Sequence, residues 1–249
     1  MRLNRYLASC GLGSRRSCEE LVRQGRVFIN GQVVTELATR VNDGDVVQVD
    51  GRKQKSATAT TVLLNKPAGY LCSREDETGQ ARETIYKLLP PHFQTLHYVG
   101  RLDRESEGLI LLTNSGALTE KLTHPRFGVE KEYLVALDRP FKPEDRSAML
   151  DGFAIEGGFA KTIAVDIEGP RVIALVLTQG IKRQIRLMFE HLGYSVRRLQ
   201  RIRIGGLTMP GLKSGRWRVL NEAEIKLLFE ERRTPVRRSA GGSAMKQRR

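Results

Sequence analysis

No run of apolar residues in this sequence approaches a membrane span: the longest clean ones, Leu109–Leu112 and Val172–Leu177, fall far short of the roughly 20 residues a spanning helix needs. The first residues, Met1-Arg2-Leu3-Asn4-Arg5-Tyr6-Leu7, lack the long apolar centre of a secretory leader, so the expected location is the cytoplasm. Cysteine is scarce. Cys10, Cys18 and Cys72 are odd in number without C-x-x-C spacing, which argues against a disulfide framework or a zinc site. His92, His97, His124 and His191 are scattered without ligand-like spacing, so no metal centre is expected. A G-x-G-x-x-G opening is missing, as is any histidine and carboxylate constellation for two-metal cleavage, which disfavours an RNA methyltransferase or a nuclease.

Acidic residues are outnumbered, 28 against 42 Lys and Arg, for a formal net charge of +14 and a pI near 10.1. Such an excess points to a polyanionic partner, nucleic acid ahead of an anionic membrane. Residues Arg232–Arg249 hold seven basic and no acidic side chains, half of that excess, and too little apolar surface to fold. They are expected to form a mobile tail.

The length, 249 residues, suits one small and one larger domain. Leu3, Tyr6 and Leu7 recur at helical spacing, and Ser14 is placed to cap a second helix with Cys18, Leu21 and Val22 as its buried stripe. Gly25 can close that helix. Arg26–Ile29, the Asn30-Gly31 turn and Gln32–Val34 then predict a hairpin, with another strand at Val46–Val49. The polar stretch that follows has no apolar face to bury. The expected division is therefore residues 1–50, a linker at 51–61, a mixed domain at 62–231 and the tail at 232–249.

Arg15 and Arg16 fall in the first turn of the second predicted helix, where the helix dipole disfavours cations. Arg23 and Arg26 extend the strip, and a phosphate backbone would compensate, although a solvated basic face reads the same way. Gly13-Ser14-Arg15-Arg16, Glu19-Glu20-Leu21, Gly25-Arg26-Val27 and Asn30-Gly31 resemble the α-L RNA-binding module of ribosomal small-subunit protein four. That resemblance speaks for structured RNA and is silent on chemistry.

Further along, Gly100-Arg101-Leu102-Asp103-Arg104-Glu105-Ser106-Glu107-Gly108 delivers a charged loop into the strand Leu109–Leu112. Asp103, beside Arg101 and Arg104, can stay ionised and nucleophilic, or can be an ordinary loop aspartate paired with arginine. Glu105 and Glu107 read as surface or structural residues. In Glu130–Leu137, Tyr133, Val135 and Leu137 share a face, and Tyr133 is either core or a platform for an unpaired base. After the strand Arg171–Thr178, Lys182-Arg183-Gln184-Ile185-Arg186 opens a helix whose apolar face is Ile185, Met188, Phe189 and Leu192. Starting it with Lys182 and Arg183 again opposes the dipole and suggests a nearby anion. Alternation over Val196–Ile204 sets Arg197, Arg201 and Arg203 on one side, either fully solvated or along phosphates.

Taken in order, GRLDRESEGLILLTNSG, KEYLV and QGIKRQIRLMFEHLG resemble the pseudouridine synthases of the branch that modifies ribosomal RNA. The resemblance implies an α+β fold: a small α-L RNA-binding domain followed by a mostly antiparallel sheet with flanking helices and an RNA cleft. By position it implies Asp103 as the essential aspartate, Tyr133 as the base-stacking tyrosine and Arg186 as the arginine that pairs with the aspartate. It also implies Arg101 near the flipped base and Lys66-Pro67 with Gly69 as part of the cleft wall. Ser115 stands where many members have aspartate. The implied reaction detaches uracil from its ribose, turns it and rejoins it through carbon five, with no cofactor. The expected enzyme is a monomer acting on ribosomal RNA, the large subunit's in preference, or on ribosomal-subunit assembly intermediates. A non-catalytic ribosome-assembly factor and the same chemistry on transfer RNA are the alternatives.

Overall fold

A computed structural model describes residues 1–76 and 79–230; the expected tail at 232–249 lies outside the described residues. Two short helices, α1 (Leu3–Ser9) and α2 (Arg15–Arg23), open the chain. The Ser14 hydroxyl accepts from the Ser17 amide at 3.1 Å, a cap worth about 1 kcal/mol. Next come β1 (Val27–Ile29), β2 (Gln32–Val33), β3 (Val47–Val49) and β4 (Arg52–Lys53), an antiparallel sheet in the order β2-β1-β3-β4. Leu3, Leu7, Cys18, Val22, Val27 and Val47 are buried between helices and sheet.

The expected linker is shorter than residues 51–61. Asp50 (φ 49°) and Gly51 (φ 75°) turn the chain, and β4 then pairs with β3 through its backbone. A two-residue strand held by main-chain bonds needs no apolar face, so hydropathy could not reveal it. At the far end, Thr61 already belongs to the next sheet.

The remainder builds β5 (Thr61–Lys66), β6 (His97–Val99), β7 (Glu107–Thr113), α3 (Gly116–Thr123), β8 (Lys131–Leu137), α4 (Asp145–Asp151), β9 (Phe153–Ile155), β10 (Gly158–Ala160), β11 (Ala164–Gly169), β12 (Val172–Leu177), α5 (Gln184–His191), β13 (Val196–Ile204), β14 (Leu207–Thr208), β15 (Trp217–Val219) and α6 (Glu222–Leu227). One nine-stranded sheet runs β11-β12-β8-β13-β7-β5-β15, with β14 on β13 and β6 on β7. Its pairings are antiparallel except for β7 with β13. The mostly antiparallel sheet with flanking helices is thus the architecture observed. Both faces of β5 and β7 are covered: Leu64 and Ile110 pack in one core, Leu63 and Leu111 in another with α3 and α6. Strands buried on both sides read as continuous apolar runs, as these do. No helix among the described residues is long and apolar enough to cross a membrane.

Two local details depart from the sequence reading. Helix α5 begins at Gln184, with Arg183 in the N-cap position and left-handed (φ 57°). Lys182 and Arg183 therefore precede the first turn. In β13 the register against β8 shifts between Val196 and Arg198 and again between Arg201 and Arg203. Because side chains alternate strictly along a strand, each extra residue reverses the faces beyond it. The row Arg197, Arg201, Arg203 does not form.

Candidate active site

The parallel contact between β7 and β13 lies at the centre of the sheet and sets Arg201 opposite Gly108, while on the other side Arg201 is opposite Tyr133. Gly108 has φ 102°, and a Cβ there would lie 2.2 Å from the carbonyl oxygen of Arg201. Only glycine permits that approach. The Asp103 loop enters β7 just before it and is held from beneath by Lys66. Although it is 0% exposed, the Lys66 ammonium donates to the carbonyls of Pro67 (3.0 Å), Asp103 (3.2 Å), Arg104 (3.2 Å) and Ser106 (2.6 Å). Burial pushes its pKa below the ordinary lysine value, and the nearby thiol and carboxylates of Cys72, Glu105, Glu107 and Asp103 act against that shift. The amide of Gly69 donates to the carbonyl of Arg104 at 2.7 Å, and the Leu102 amide to Cys72 Sγ at 3.5 Å. The segment from Lys66 to Cys72 is therefore a clamp on the loop.

Above the loop opens a cavity of about 670 Å³, within the usual range for ligand sites. Asp103, Tyr133, Lys131, Arg201 and Ile185 line it, with Arg101, Arg104, Lys182 and Arg183 around it. Tyr133 and Arg201 are buried, Asp103 and Lys131 half-buried, and the other four cations exposed. Lys131 Nζ donates to the Val129 carbonyl at 3.0 Å. Burial, with Arg201 adding to it, brings the Lys131 pKa down to about 8. A carboxylate, a phenol face and a set of cations around one recess can hold a planar base and meet charge of either sign.

The family described as RNA pseudouridylate synthase matches residues 60–191, and the S4 domain matches residues 1–47. The chain belongs to the RNA pseudouridylate synthase family. Dual-specificity RNA pseudouridine synthase RluF of Escherichia coli (strain K12) is 39% identical over 233 residues, which cover 92% of this chain and 79% of that protein. Ribosomal large subunit pseudouridine synthase B of Bacillus subtilis (strain 168) is 36% identical over 235 residues, covering 91% and 95%. A crystal structure of a pseudouridylate synthase superposes with a TM-score of 0.67 at 29% identity, covering 92% of this chain and 99% of that one. The synthase is thus an isomerase, and the non-catalytic alternative falls away.

Asp103 and Tyr133 of the synthase, the two residues the resemblance singles out, both line this cavity. Arg186 does not complete the set in this structure. Its Nη1 donates to the Val196 carbonyl at 3.2 Å, its buried Nε has no partner among the described residues, and it makes no ion pair with Asp103. A buried arginine that does line the cavity is Arg201, only 2% exposed, with Nε donating to the Leu109 carbonyl at 2.7 Å. Glu105 and Glu107 pair outward, with Arg183 at 3.8 Å and Arg198 at 2.8 Å. Ser115 caps α3 by accepting from the Leu118 amide at 3.2 Å, a task aspartate performs equally well.

Among the residues expected at phosphates, Arg15 and Arg16 are exposed at the start of α2 with no acidic side chain in that turn. Arg23 pairs with Glu20 at 3.5 Å and Arg26 with Asp50 at 2.5 Å; exposed pairs of this kind are weak enough for phosphate to displace. Arg197 is exposed. Arg203 is a correction: the bulge turns it to the sheet face opposite Arg201, where it is 4% exposed and paired with Glu132 at 2.5 Å and Glu130 at 3.0 Å. A buried, doubly paired guanidinium has no capacity left for RNA. Arg201 likewise is no surface phosphate ligand. Lys66 was expected in the cleft wall and Arg201 at phosphates, and Lys131 was missed; the carbonyls of Asp103 and Leu109 that fix Lys66 and Arg201 are 37 and 92 residues away in sequence.

Proposed function

We propose that the synthase isomerises a uridine of large-subunit ribosomal RNA, with Asp103 as the catalytic carboxylate. The observation that carries this reading is the cavity shared by Asp103 and Tyr133, with its Asp103 loop clamped by a fully buried lysine. The names of the two relatives support the substrate, one of them specifying the ribosomal large subunit.

The target base is extruded from its stack, at a cost of a few kcal/mol, and lies against Tyr133. Asp103 faces the sugar side of the bond that breaks and meets the developing positive charge at C1′. Its half-buried position leaves it accessible from the cavity. Arg186 approaches Asp103 once RNA is seated, because catalytic contacts commonly tighten only in the complex; its unpartnered Nε supports this. The exposed rim of Arg101, Arg104, Lys182 and Arg183 takes the flanking phosphates, and the N-terminal unit, through Arg15, Arg16, Arg23 and Arg26, holds a neighbouring structured element. We assign residues 1–54 to docking and 61–230 to chemistry. A monomer in the cytoplasm that works on ribosomal RNA or on subunit assembly intermediates completes the reading.

The test is Asp103→Asn, assayed for RNA affinity and product. Affinity is expected to stay within a few fold while pseudouridine formation stops; an unchanged yield removes Asp103 from the mechanism. Mapping pseudouridines in ribosomal and transfer RNA with and without the protein identifies the substrate, and a site lost only from transfer RNA overturns the ribosomal assignment.

A further inference from the structure

The wall facing Asp103 carries two cations with no carboxylate partner. Lys131 and Tyr133 are two apart on β8 and share a face, and Arg201 on β13 is directly opposite Tyr133. All three line the Asp103 cavity, where Asp103 is the one acidic residue among the described lining residues. Arg201 is 2% exposed, and its Nη2 is buried without a hydrogen-bond partner among the described residues. The Lys131 ammonium has only the neutral Val129 carbonyl at 3.0 Å. Glu132, between Lys131 and Tyr133 in sequence, belongs to the opposite face and is committed to Arg203. On that other face the fold neutralises its buried arginine with two glutamates; on the cavity face it neutralises neither cation. Burying uncompensated charge is unfavourable, so such a pair suggests an anion that arrives from outside.

We infer that Lys131 and Arg201 form the seat for uracil during the interval in which it is detached from ribose and negatively charged. This rests on the Asp103 cavity being the reaction site. When the bond between N1 and C1′ breaks, its electron pair leaves with the base, and the charge spreads over N1, O2 and O4. The electron-deficient C1′ is met by Asp103; the uracil anion is met by the ammonium and guanidinium opposite. The base turns, C5 supplies the electron pair of the new bond to C1′, C5 loses its proton and N1 gains one, so no net proton is consumed. Phosphate is the lesser fit for this pair. The exposed cations Arg101, Arg104, Lys182 and Arg183 suit a solvated backbone, whereas Lys131 and Arg201 are the neighbours of Tyr133 along β8 and across on β13, beside the position assigned to the base. Donors fixed before charge develops need no reorganisation and act in a site screened from water.

The charged and titratable groups around Lys131 are Arg201 from β13, Tyr133 on its own strand, Cys72 from the clamp, Asp103, Arg101 and Arg104 from the loop before β7, and Lys182 and Arg183 after β12. Of these, Arg201 is the one that joins burial in lowering its pKa to about 8.

The experiment compares the wild type, Lys131→Met, Lys131→Arg and Asp103→Asn for single-turnover rate at saturating RNA, RNA Kd and the pH profile of kcat/KM. Lys131→Met is expected to lose about 100-fold in rate, in the range for removing one preorganised donor, with Kd changed less than about threefold. Lys131→Arg restores most of the rate. The wild-type kcat/KM, which reports the free enzyme, falls as pH rises through about 8 and that limb is absent in Lys131→Arg. A full rate in Lys131→Met, a loss confined to Kd, or an identical limb in Lys131→Arg overturns the seat. Should Lys131→Met not fold, the limb in Lys131→Arg still decides. Activity retained by Asp103→Asn defeats the reading of the cavity instead, so the two failures are distinguishable.

Discussion

Lys66→Met removes an ammonium while keeping an unbranched stem of similar length, and its cost follows from which carbonyls are left without a donor. Four lie within hydrogen-bond distance of Lys66 Nζ and share its protons. Two keep another partner: the Asp103 carbonyl still receives the Ser106 amide at 3.0 Å, and the Arg104 carbonyl the Gly69 amide at 2.7 Å. The carbonyls of Pro67 and Ser106 lose their donor. At about 1–3 kcal/mol for each buried acceptor left unmade, the loss is about 2–6 kcal/mol, partly offset because no ammonium needs burying. A net loss of about 2–4 kcal/mol is expected, a large share of a typical total of about 5–15 kcal/mol. Chemistry should suffer separately. Releasing the Asp103 backbone by about 1 Å is enough for roughly a 100-fold loss in rate. Urea unfolding followed by the fluorescence of Trp217, the single tryptophan, measures the first effect, and single-turnover pseudouridine formation at temperatures where the variant is folded measures the second. A midpoint within about 0.5 kcal/mol of wild type, together with an unchanged rate, would mean that the loop does not depend on Lys66.

Two further outcomes follow from the same region. Gly108→Ala places a methyl group 2.2 Å from the Arg201 carbonyl oxygen at φ 102°, so backbone strain and overpacking should together cost about 2–5 kcal/mol; a melting temperature equal to wild type refutes the close approach of β7 and β13. The folded-state pKa of Lys131, about 8 against an ordinary 10.5, means that the unfolded chain binds more protons between those values. Stability attributable to Lys131 therefore rises with pH from about 8 to 10.5, by roughly 3 kcal/mol, and is unfavourable below that window. Relative to wild type, Lys131→Met should be the more stable protein at neutral pH and lose that advantage by pH 10.5; parallel stability curves for the two proteins contradict the shift.

Local signals carried much of the fold and part of the site. Ser14 before Arg15, the Asn30-Gly31 turn and the alternation through Tyr133, Val135 and Leu137 each act within a few residues, so helix α2, the first hairpin and the inward face of β8 were legible. The Asp103 loop stood out because a dense run of charge ends in an apolar strand. Arg203 was misread because an alternating pattern assumes an unbroken register, and the bulge after Arg201 breaks it. Arg186 was given to Asp103 by resemblance, whereas the described structure has it on the Val196 carbonyl.

By itself the sequence determined the kind of elements and the basic character of the protein, because capping, turn and periodicity preferences are properties of neighbouring residues; Asp103 and Tyr133 were singled out by the resemblance. Only the tertiary structure decided that Lys66 clamps the loop, that Arg201 and Arg203 are buried on opposite faces of the sheet, and that Lys131 is left without a carboxylate. The reason is physical. Burial and the choice of ion partner depend on which strands lie side by side, and β5, β7, β8 and β13 meet in an order unrelated to their order in the chain.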